Sequence, residues 1–548
     1  MVERHFDGVI IGGGHNALVL AGYMAKSGLD VAVLEKNSLI GGGVGTVPSN
    51  FVPGFLHEMH SQFHRNIPAT PWYKDLAVGD YGVKYIYPHV NNGMPLSDGR
   101  ALVVHADPAV TSDAIARFNK KDAKTYFDVY HRYQRMAMDI QIAREYAPPL
   151  PEDVERELLS RSKMGREFLS INERSAYEMV NELFEDPQLR AFYLFLFSVR
   201  GYLPAPTVEG TGFAMVAMTY LGNKAMLPKG GSRSLGHALS WMVAHHGGKI
   251  FPATEVADII IEGDRAAGVE TIDGDRFMAR KFVASSVDPH QTFLRFVGKE
   301  NLDSNVIDRL NAYKYGVSGK SFGVLFALHA GTHEPPRYSS AAWDPMIDQA
   351  FNTCLGYEEP EQLLTHLDEV VDGVAPTTIG LQAAVPTLHD PTRAPRGKHV
   401  LLGWQFAPYE LKDGGVEGWD HIKQGYLDKV LERWGEYAPN LRPDAGNIIY
   451  SFPQTPPDTE RSLSNMREGD FHVGALIPSQ LGFNRPFPEV SQYRTWIKGL
   501  YLTGAGTHPS GNITGAPGYN TARVVAEDLG LDLWWRPRNI DQHFAELQ

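Results

Sequence analysis

The chain has 548 residues, of which 43% are hydrophobic and 21% charged, and its formal net charge is -13. This length and composition indicate a globular protein of two or three domains and exclude a disordered chain. The acidic balance argues against nucleic-acid binding, which needs clustered Lys and Arg, and a single cysteine, Cys354, excludes an intrachain disulfide or a redox CxxC pair.

The N-terminal segment predicts a dinucleotide-binding βαβ unit. Residues 7–36 read as a strand, a glycine turn, a helix and a second strand. Gly12 and Gly14 occupy the first two positions of the glycine fingerprint and Ala17 the third. The glycines allow a tight turn and let the backbone approach a pyrophosphate at the helix N-terminus. Glu35 ends the second strand, where a carboxylate can accept hydrogen bonds from ribose hydroxyls.

The βαβ unit by itself is compatible with either FAD or NAD. Three later features favour FAD. Gly41, Gly42 and Gly43 follow Glu35 closely and would let the chain pass near the cofactor. The strand around Val256 offers a backbone amide and carbonyl to adenine. A glycine-rich turn at 504–518 opens the last helix, whose N-terminal amides would stabilise the negative charge of a reduced flavin.

The remaining elements predict a second sheet and a helical region. Residues 107–200 have long amphipathic stretches without regular turn signals, which predicts a mainly helical insertion. A glycine turn after Pro228 leads into a helix and two hairpins, with turns at 263–264 and 273–274. The segments SFGVLFALHA and KHVLLGWQFAPY predict strands, and IKQGYLDKVLERWGEYA predicts a helix.

We therefore predict an α/β fold with two domains, each discontinuous in sequence. A Rossmann-type FAD-binding domain is expected from residues 1–75, 225–300 and 490–548. A substrate domain of mixed sheet and helices is expected from residues 76–224 and 301–489.

Several motifs carry a resemblance that extends over nearly the whole chain. They are IIGGGHNALV with VLEK, PKGGSRSLGHAL with GGKIFPATEV, VASSVDPHQTF, HDPTRAPRGKHVL and YRTWIKGLYLTGAGTHPSGNITGAPGYNTA. In these motifs the chain resembles FAD-dependent oxidoreductases of the phytoene desaturase, carotenoid ketolase and retinol saturase type, which are related to flavin amine oxidases. It looks nearest to the branch named for a pyridine nucleotide-disulphide oxidoreductase domain. The resemblance implies an FAD-dependent oxidoreductase.

The chain departs from this family at two places that bear on substrate. FLHEMHSQFHRN follows the glycine run where desaturases usually have an apolar segment, and Ser510-Gly511-Asn512 replaces a frequent triple glycine. These departures argue against a carotenoid substrate.

The residues expected to bind FAD lie in the motifs just described. They are Gly12, Gly14, Asn16, Ala17, Glu35, Lys36, Gly41, Gly42, Gly43, Val256, Gly504, Ala505, Gly511, Asn512, Gly515 and Ala516. We expect noncovalent FAD, because nothing in the sequence places Cys354 near the flavin. Only one dinucleotide fingerprint is evident, which implies reoxidation by oxygen, a quinone or another carrier.

Four residues are candidates for proton transfer or substrate orientation: His60, His64, Tyr409 and His508. His60 and His64 leave the glycine run and should enter the space beside the flavin. Together with His57 they could suggest a metal, but no fourth ligand can be assigned, so we expect none. Arg65 is a candidate partner for a substrate carboxylate, with a structural ion pair as the alternative.

The expected reaction is desaturation of a C–C bond in a small alicyclic or isoprenoid-like substrate, with hydride transfer to flavin N5. A flavin amine oxidase, a redox-neutral isomerase or saturase, and a non-catalytic FAD-stabilised interaction protein are the alternatives. No run of about 18 apolar residues occurs. A cytoplasmic location is therefore expected, with a small-molecule substrate, no nucleic acid and peripheral membrane contact left open.

Overall fold

Two large sheets and two small ones contain the β-strands of the part of the chain that is described. The computed structural model describes residues 2–199, 206–316 and 325–547. In chain order the strands are β1 (Glu3–Ile11), β2 (Val31–Leu34), β3 (Thr46–Pro48), β4 (Leu56–Glu58), β5 (His64–Arg65), β6 (Tyr85–Ile86), β7 (Val90–Pro95), β8 (Ala101–His105), β9 (Ala225–Pro228), β10 (Lys249–Phe251), β11 (Val256–Glu262), β12 (Arg265–Thr271), β13 (Arg276–Ser285), β14 (Phe326–Thr332), β15 (Asn352–Leu355), β16 (Leu381–Ala384), β17 (His399–Gln405), β18 (Ile448–Gln454) and β19 (Leu500–Leu502).

The α-helices are concentrated between β8 and β9, with single helices elsewhere along the chain. They are α1 (His15–Lys26), α2 (Pro71–Asp75), α3 (Pro108–Ala116), α4 (Lys120–Met136), α5 (Ala143–Glu145), α6 (Glu152–Ser160), α7 (Lys163–Asn172), α8 (Ala176–Leu183), α9 (Pro187–Val199), α10 (Gly212–Leu221), α11 (Arg233–His245), α12 (Ser304–Ala312), α13 (Pro360–Val371), α14 (Gly418–Tyr437), α15 (Pro456–Ser462), α16 (Ala516–Asp528) and α17 (Ile540–Ala545). None of the described helices is long and apolar enough to cross a membrane.

The first large sheet has the order β10-β2-β1-β13-β12-β11, and β19 also pairs with β13. β10, β2, β1, β13 and β19 are parallel, whereas β11 and β12 pair antiparallel. Ile10 packs with α1, α11 and α16 on one face, while Val9 and Ile11 pack in a second cluster on the other. Such coverage of both faces is typical of parallel sheets. The predicted βαβ unit is thus confirmed as β1–α1–β2.

The second large sheet has the order β18-β14-β17-β16-β15-β7-β8 and is antiparallel except between β15 and β7. One face packs against α14 through a cluster that contains Leu328, Leu401 and Trp434. Because side chains alternate along a strand, every second residue of these strands points to the opposite face of the sheet. That face contains Gln382 and Trp404, which are paired in register between β16 and β17.

The two sheets draw their strands from different parts of the sequence. Strands of the first sheet fall within residues 3–34, 249–285 and 500–502, inside the segments predicted for the cofactor domain. Strands of the second fall in the segments predicted for the substrate domain. The α/β class is confirmed, whereas the domain boundaries stay a prediction.

Local predictions can be compared with the elements directly. The hairpin turns at 263–264 and 273–274 are found between β11, β12 and β13. Helices α3 to α9 occupy the predicted helical region up to Val199, and residue 200 lies outside the described residues. Residues 321–324 of the predicted strand SFGVLFALHA also lie outside them, and β14 covers its residues from Phe326 onward.

Candidate cofactor and substrate site

A deep cleft opens where the parallel strands of the first sheet end. Its wall contains Ile11 and Leu34, the last residues of β1 and β2, and Ser286, which follows β13. Gln382 and Trp404 of the second sheet also line it. The cleft holds about 1550 Å³ of open space, counted with solvent at its mouth. Residues of both large sheets therefore line one cleft.

The N-terminus of α1 faces this cleft and suits a pyrophosphate. Gly14 precedes the helix, no side chain caps it, and its first turn contains no acidic residue. A Cβ atom built on Gly14 would meet nothing within 4 Å, so open space lies directly against this turn. The positive end of the helix dipole and the uncapped amides favour an anion there. The residues present therefore fit the diphosphate of FAD.

Glu35 is held in a fixed orientation at the end of β2. Its Oε2 accepts a hydrogen bond of 2.7 Å from Gly13 N, and its Oε1 accepts one of 2.9 Å from Asn37 N. The side chain is buried yet lies on the cleft wall beside Lys36. A carboxylate in this position can accept hydrogen bonds from the ribose hydroxyls of a bound dinucleotide.

The glycine run after Glu35 packs directly on the first glycine turn. Gly41 N donates to Gly13 O at 2.9 Å. Gly42 has φ +58°, and a Cβ atom there would lie 3.1 Å from the Cα of Gly14. Glycine is therefore needed both for the backbone conformation and for the close approach of the two turns. Gly42 and Gly43 reach the cleft wall.

Most of the predicted FAD-binding residues lie on one wall. The cleft is lined by Gly12, Gly14, Asn16, Glu35, Lys36, Gly42, Gly43, Val256, Ala505, Gly511 and Asn512. The buried Oδ1 of Asn16 has no hydrogen-bond partner among the described residues, which leaves it available to a ligand.

The structure does not bring the other five predicted residues to the wall. They are Ala17, Gly41, Gly504, Gly515 and Ala516. Gly504 and Gly515 are packing positions, because a Cβ atom would lie 2.3 Å from Ser286 O at the first and 2.5 Å from the Trp72 ring at the second. For all five residues, contact with FAD stays a prediction.

Residues 60–65 and the second sheet form a mainly aromatic and apolar end of the cleft, where Arg65 lies over the Phe63 ring at 4.6 Å. His60, Gln62 and Phe63 contribute to it from the segment after the glycine run, and Trp404 contributes from β17. Burial lowers the pKa of His60 to about 4. The imidazole is therefore neutral near pH 7 and has a nitrogen that can accept a proton.

His64 lines an adjoining pocket, which shares Arg65 and Asn512 with the main cleft. Its Nδ1 lies 3.0 Å from the Tyr85 hydroxyl. Burial, and then the charges of His15 and Arg393, lower the pKa of His64 to about 3. His64 thus lies beside the cleft and not on its wall.

Tyr409 and His508 are predicted site residues that the structure does not bring to the cleft. The Tyr409 hydroxyl donates to the Glu460 carboxylate, and burial together with this carboxylate raises the tyrosine pKa. His508 Nε2 lies 2.8 Å from the carbonyl oxygen of Arg144, and burial lowers its pKa to about 4. Neither lines the main cleft or the adjoining cavity, and their contact with a substrate stays a prediction.

The position of Cys354 bears on covalent flavin attachment. The residue is buried in β15, burial raises the pKa of its thiol, and it does not line the cleft. As for metals, over residues 2–199, 206–316 and 325–547 no group of three or more His, Cys, Asp or Glu is arranged to hold an ion.

Sequence reasoning missed several wall residues. Ser286 and Gln291 belong to the motif VASSVDPHQTF, whose resemblance to the family was a usable signal. Gln382 and Trp404 have no local signal, because strand pairing alone brings them to the wall. The segment 463–466 also lines the cleft without any motif of its own.

Comparison with known proteins shows the family to which the chain belongs. The family model described as flavin containing amine oxidoreductase matches residues 18–406. A subunit of the limonene dehydrogenase of Castellaniella defragrans is 31% identical, over 97% of this chain and 96% of that protein. Pyridine nucleotide-disulfide oxidoreductase domain-containing protein 2 of Rattus norvegicus is 28% identical, over 96% of this chain and 94% of that protein. The resemblance noted in the sequence is confirmed.

A solved structure of similar architecture supports the fold. Cyclohexylamine oxidase from Brevibacterium oxydans IH-35A superimposes with a TM-score of 0.54 at 16% identity, over 96% of this chain and 99% of that one. At this identity the likeness concerns the fold alone. It confirms the α/β architecture.

Proposed function

Because the chain belongs to the family of flavin-containing amine oxidoreductases, and is therefore an FAD-dependent oxidoreductase, we propose that it desaturates a C–C bond of a small alicyclic or isoprenoid-like substrate. When bound, FAD supplies the two-electron oxidation. Gly12, Gly14 and Glu35 hold its ADP half, and the aromatic end of the cleft holds the substrate.

One observation carries the choice of a carbon substrate over an amine. Within the described part of the wall the acidic residues are Glu35 and Glu255. Both lie at the ribose end, since Thr254 N donates to Glu35 O at 2.8 Å and Glu255 is paired with Arg295 at 2.9 Å. If an ammonium group were buried at the aromatic end, no carboxylate among the described wall residues there would compensate for its loss of hydration. A neutral substrate has no such cost.

The relative named limonene dehydrogenase supports the same substrate class, because its name describes dehydrogenation of a terpene. The mainly apolar wall around Phe63, Trp404 and Leu325 suits a compact hydrocarbon skeleton.

We assign proton acceptance to His60. Its imidazole is neutral and lies on the substrate wall, where it can take the proton that leaves one of the two carbons. FAD is held without a covalent bond, since Cys354 is buried in β15 and is not among the residues that line the cleft. The electron acceptor is oxygen, a quinone or another carrier. We place the protein in the cytoplasm, with peripheral membrane contact open.

The test is anaerobic mixing of the FAD-loaded protein with saturated alicyclic compounds and, separately, with cyclic amines. We expect the visible flavin absorbance to bleach with an alicyclic compound and an unsaturated product to appear by mass spectrometry. Bleaching by amines alone, with an imine or ketone product, would replace the proposal with an amine oxidase. Purified protein that never acquires flavin would contradict the cofactor assignment as well.

A further inference from the structure

Two glutamine side chains on the cleft wall have unused hydrogen-bonding capacity. Gln382 is 1% exposed, and neither its amide oxygen nor its amide nitrogen has a partner among the described residues. Gln62 is also 1% exposed; its Nε2 donates to Asn352 Oδ1 at 3.0 Å, while its Oε1 has no partner in the described part of the chain. Buried amides in this condition are unusual and require an explanation.

These amides lie on one face of the second sheet. Gln382 pairs in register with Cys354 of β15 and with Trp404 of β17. Asn352 lies two residues before Cys354, so its side chain points to the same face. Gln62 packs on this face through Asn352 and lines the cleft together with Gln382. The unpartnered amides therefore border the substrate end of the cleft.

The chemistry of an amide defines what it can bind. A glutamine offers a donor and an acceptor without net charge, which matches a hydroxyl group or, through the donor alone, a carbonyl oxygen. The neighbouring wall residues His60, Trp404 and Leu325 are neutral or apolar. A pure hydrocarbon would leave the amides unpartnered and would keep their desolvation uncompensated.

We propose that Gln382, assisted by Gln62, binds a neutral oxygen function on the substrate, which is therefore an alicyclic ketone or alcohol. This inference rests on the proposed desaturation and narrows its substrate class. It makes Gln382 a specificity-determining residue. Gln405 provides a matched control position. It is the neighbour of Trp404 on β17, it donates to the Tyr426 hydroxyl, and it does not line the cleft.

The experiment compares three probes that share one ring: cyclohexanone, methylenecyclohexane and cyclohexanecarboxylate. Binding to the FAD-loaded protein is measured by anaerobic calorimetry after chemical reduction of the flavin, so that no turnover occurs. We expect the ketone to bind at least about tenfold more tightly than the hydrocarbon, as one or two hydrogen bonds would produce. Gln382→Leu should abolish this preference and leave hydrocarbon affinity unchanged, whereas Gln405→Leu should retain it.

Several outcomes would overturn the inference. Equal affinity of the wild type for ketone and hydrocarbon would do so, as would an unchanged ratio in Gln382→Leu or tightest binding of the carboxylate. Gln382→Met provides a second variant of similar shape if Gln382→Leu does not fold. Binding to the reduced protein and dehydrogenation by the oxidised protein are measured separately, so the two proposals can fail independently. If the ketone is preferred but no compound is dehydrogenated, the proposed function is wrong and this inference stands. If a compound is desaturated but the ketone is not preferred, this inference is wrong and the proposed function stands.

Discussion

Arg393 and Glu58 form an ion pair that is closed to solvent. The Nη1 and Oε1 atoms are 2.8 Å apart, and the two side chains are 0% and 2% exposed. Arg393 also contacts Asp390, with Nε 3.2 Å from Oδ2. Burial raises the pKa of Glu58, and the attraction of Arg393 only partly opposes this effect. The pair therefore serves to fix the geometry of this region more than to add net stability.

The contacts of this pair connect motifs that are far apart in sequence. Glu58 Oε1 accepts a hydrogen bond from Ser232 N at 2.9 Å, and Asp390 Oδ2 accepts one from Gly230 N at 2.7 Å. The motifs PKGGSRSLGHAL and HDPTRAPRGKHVL are thereby joined to the segment that continues into His60. Their role in the protein is to position that wall of the cleft.

Arg393→Met should destabilise the protein strongly, because it leaves two buried carboxylates without their cation. We expect the free energy of unfolding to fall by about 3–5 kcal/mol, measured by denaturant unfolding of the FAD-loaded protein. Arg309→Met is the control, since Arg309 and Glu489 are 52% and 53% exposed and such surface pairs contribute at most about 1 kcal/mol. A similar loss in both variants would contradict the structural role of the buried pair.

Glu35→Gln should weaken FAD binding without unfolding the protein. The variant loses a charged acceptor for Gly13 N and for the ribose hydroxyls. A hydrogen bond to a charged group is worth roughly 1.5–3 kcal/mol, which corresponds to a rise in the FAD dissociation constant of about 10- to 150-fold. The dissociation constant is measured by titrating the apoprotein with FAD and following the flavin fluorescence.

Glu255→Gln provides the matched control for Glu35. Glu255 lies on the same wall but is paired with Arg295, with 2.9 Å between Nη2 and Oε1. We expect it to change FAD affinity less than Glu35→Gln does. Equal affinities of wild type and Glu35→Gln would show that this carboxylate does not contact the cofactor.

Gly42→Ala should abolish or severely reduce FAD content. The added methyl group combines a backbone strain at φ +58° with an approach of 3.1 Å to the Cα of Gly14. Gly446→Ala separates the two effects, because Gly446 has φ +68° but nothing within 4 Å of its Cβ position. We expect this control to cost about 1 kcal/mol and to keep full flavin content, read from absorbance after purification. Full FAD content in Gly42→Ala would refute the tight contact of the two turns.

The cofactor half of the site could be predicted from sequence because its determinants are local. Gly12, Gly14 and Glu35 lie within one βαβ unit, and the last helix begins at Ala516, within the predicted glycine-rich turn. In such a unit the spacing along the chain fixes the spacing in space.

The substrate half could not be predicted in the same way. Gln382 lies in the buried strand LQAA, where neighbouring residues give no indication of its place on the wall. Strand pairing across β15, β16 and β17 creates that position. For His508 the sequence likewise did not indicate the contact of its Nε2 with the carbonyl oxygen of Arg144, which lies 364 residues away in the chain.

His60→Gln should lower kcat with little change in FAD content. The amide retains polarity at the wall but cannot accept the substrate proton, and loss of a general base typically costs about 10²- to 10⁴-fold. Single-turnover flavin reduction by the substrate found in the anaerobic screen measures this step. His64→Gln is the comparison, because His64 lines the adjoining cavity. A larger loss of kcat in His64→Gln than in His60→Gln would indicate that His64 is the general base.

Stability should fall as the pH decreases below about 6.5, because several histidines are buried in their neutral form. Burial lowers the pKa of His57 to about 4, and His57 is 0% exposed with its Nε2 2.7 Å from the Tyr450 hydroxyl. Burial, with the charges of His15 and Arg393, lowers that of His64 to about 3. In the unfolded chain both titrate near 6.5. Between these values only the unfolded state binds the proton, so acidification favours unfolding.

The expected loss from pH 7 to pH 5 is on the order of 2 kcal/mol for each such histidine. Denaturant unfolding at both pH values measures it. His57→Gln preserves a polar side chain but cannot titrate, so its loss over this interval should be smaller than that of the wild type by about the same amount. His131→Gln is the control for the substitution itself, because His131 is exposed on α4. If His57→Gln and wild type lose stability in parallel, His57 is not a neutral buried group and the packing described around it is wrong.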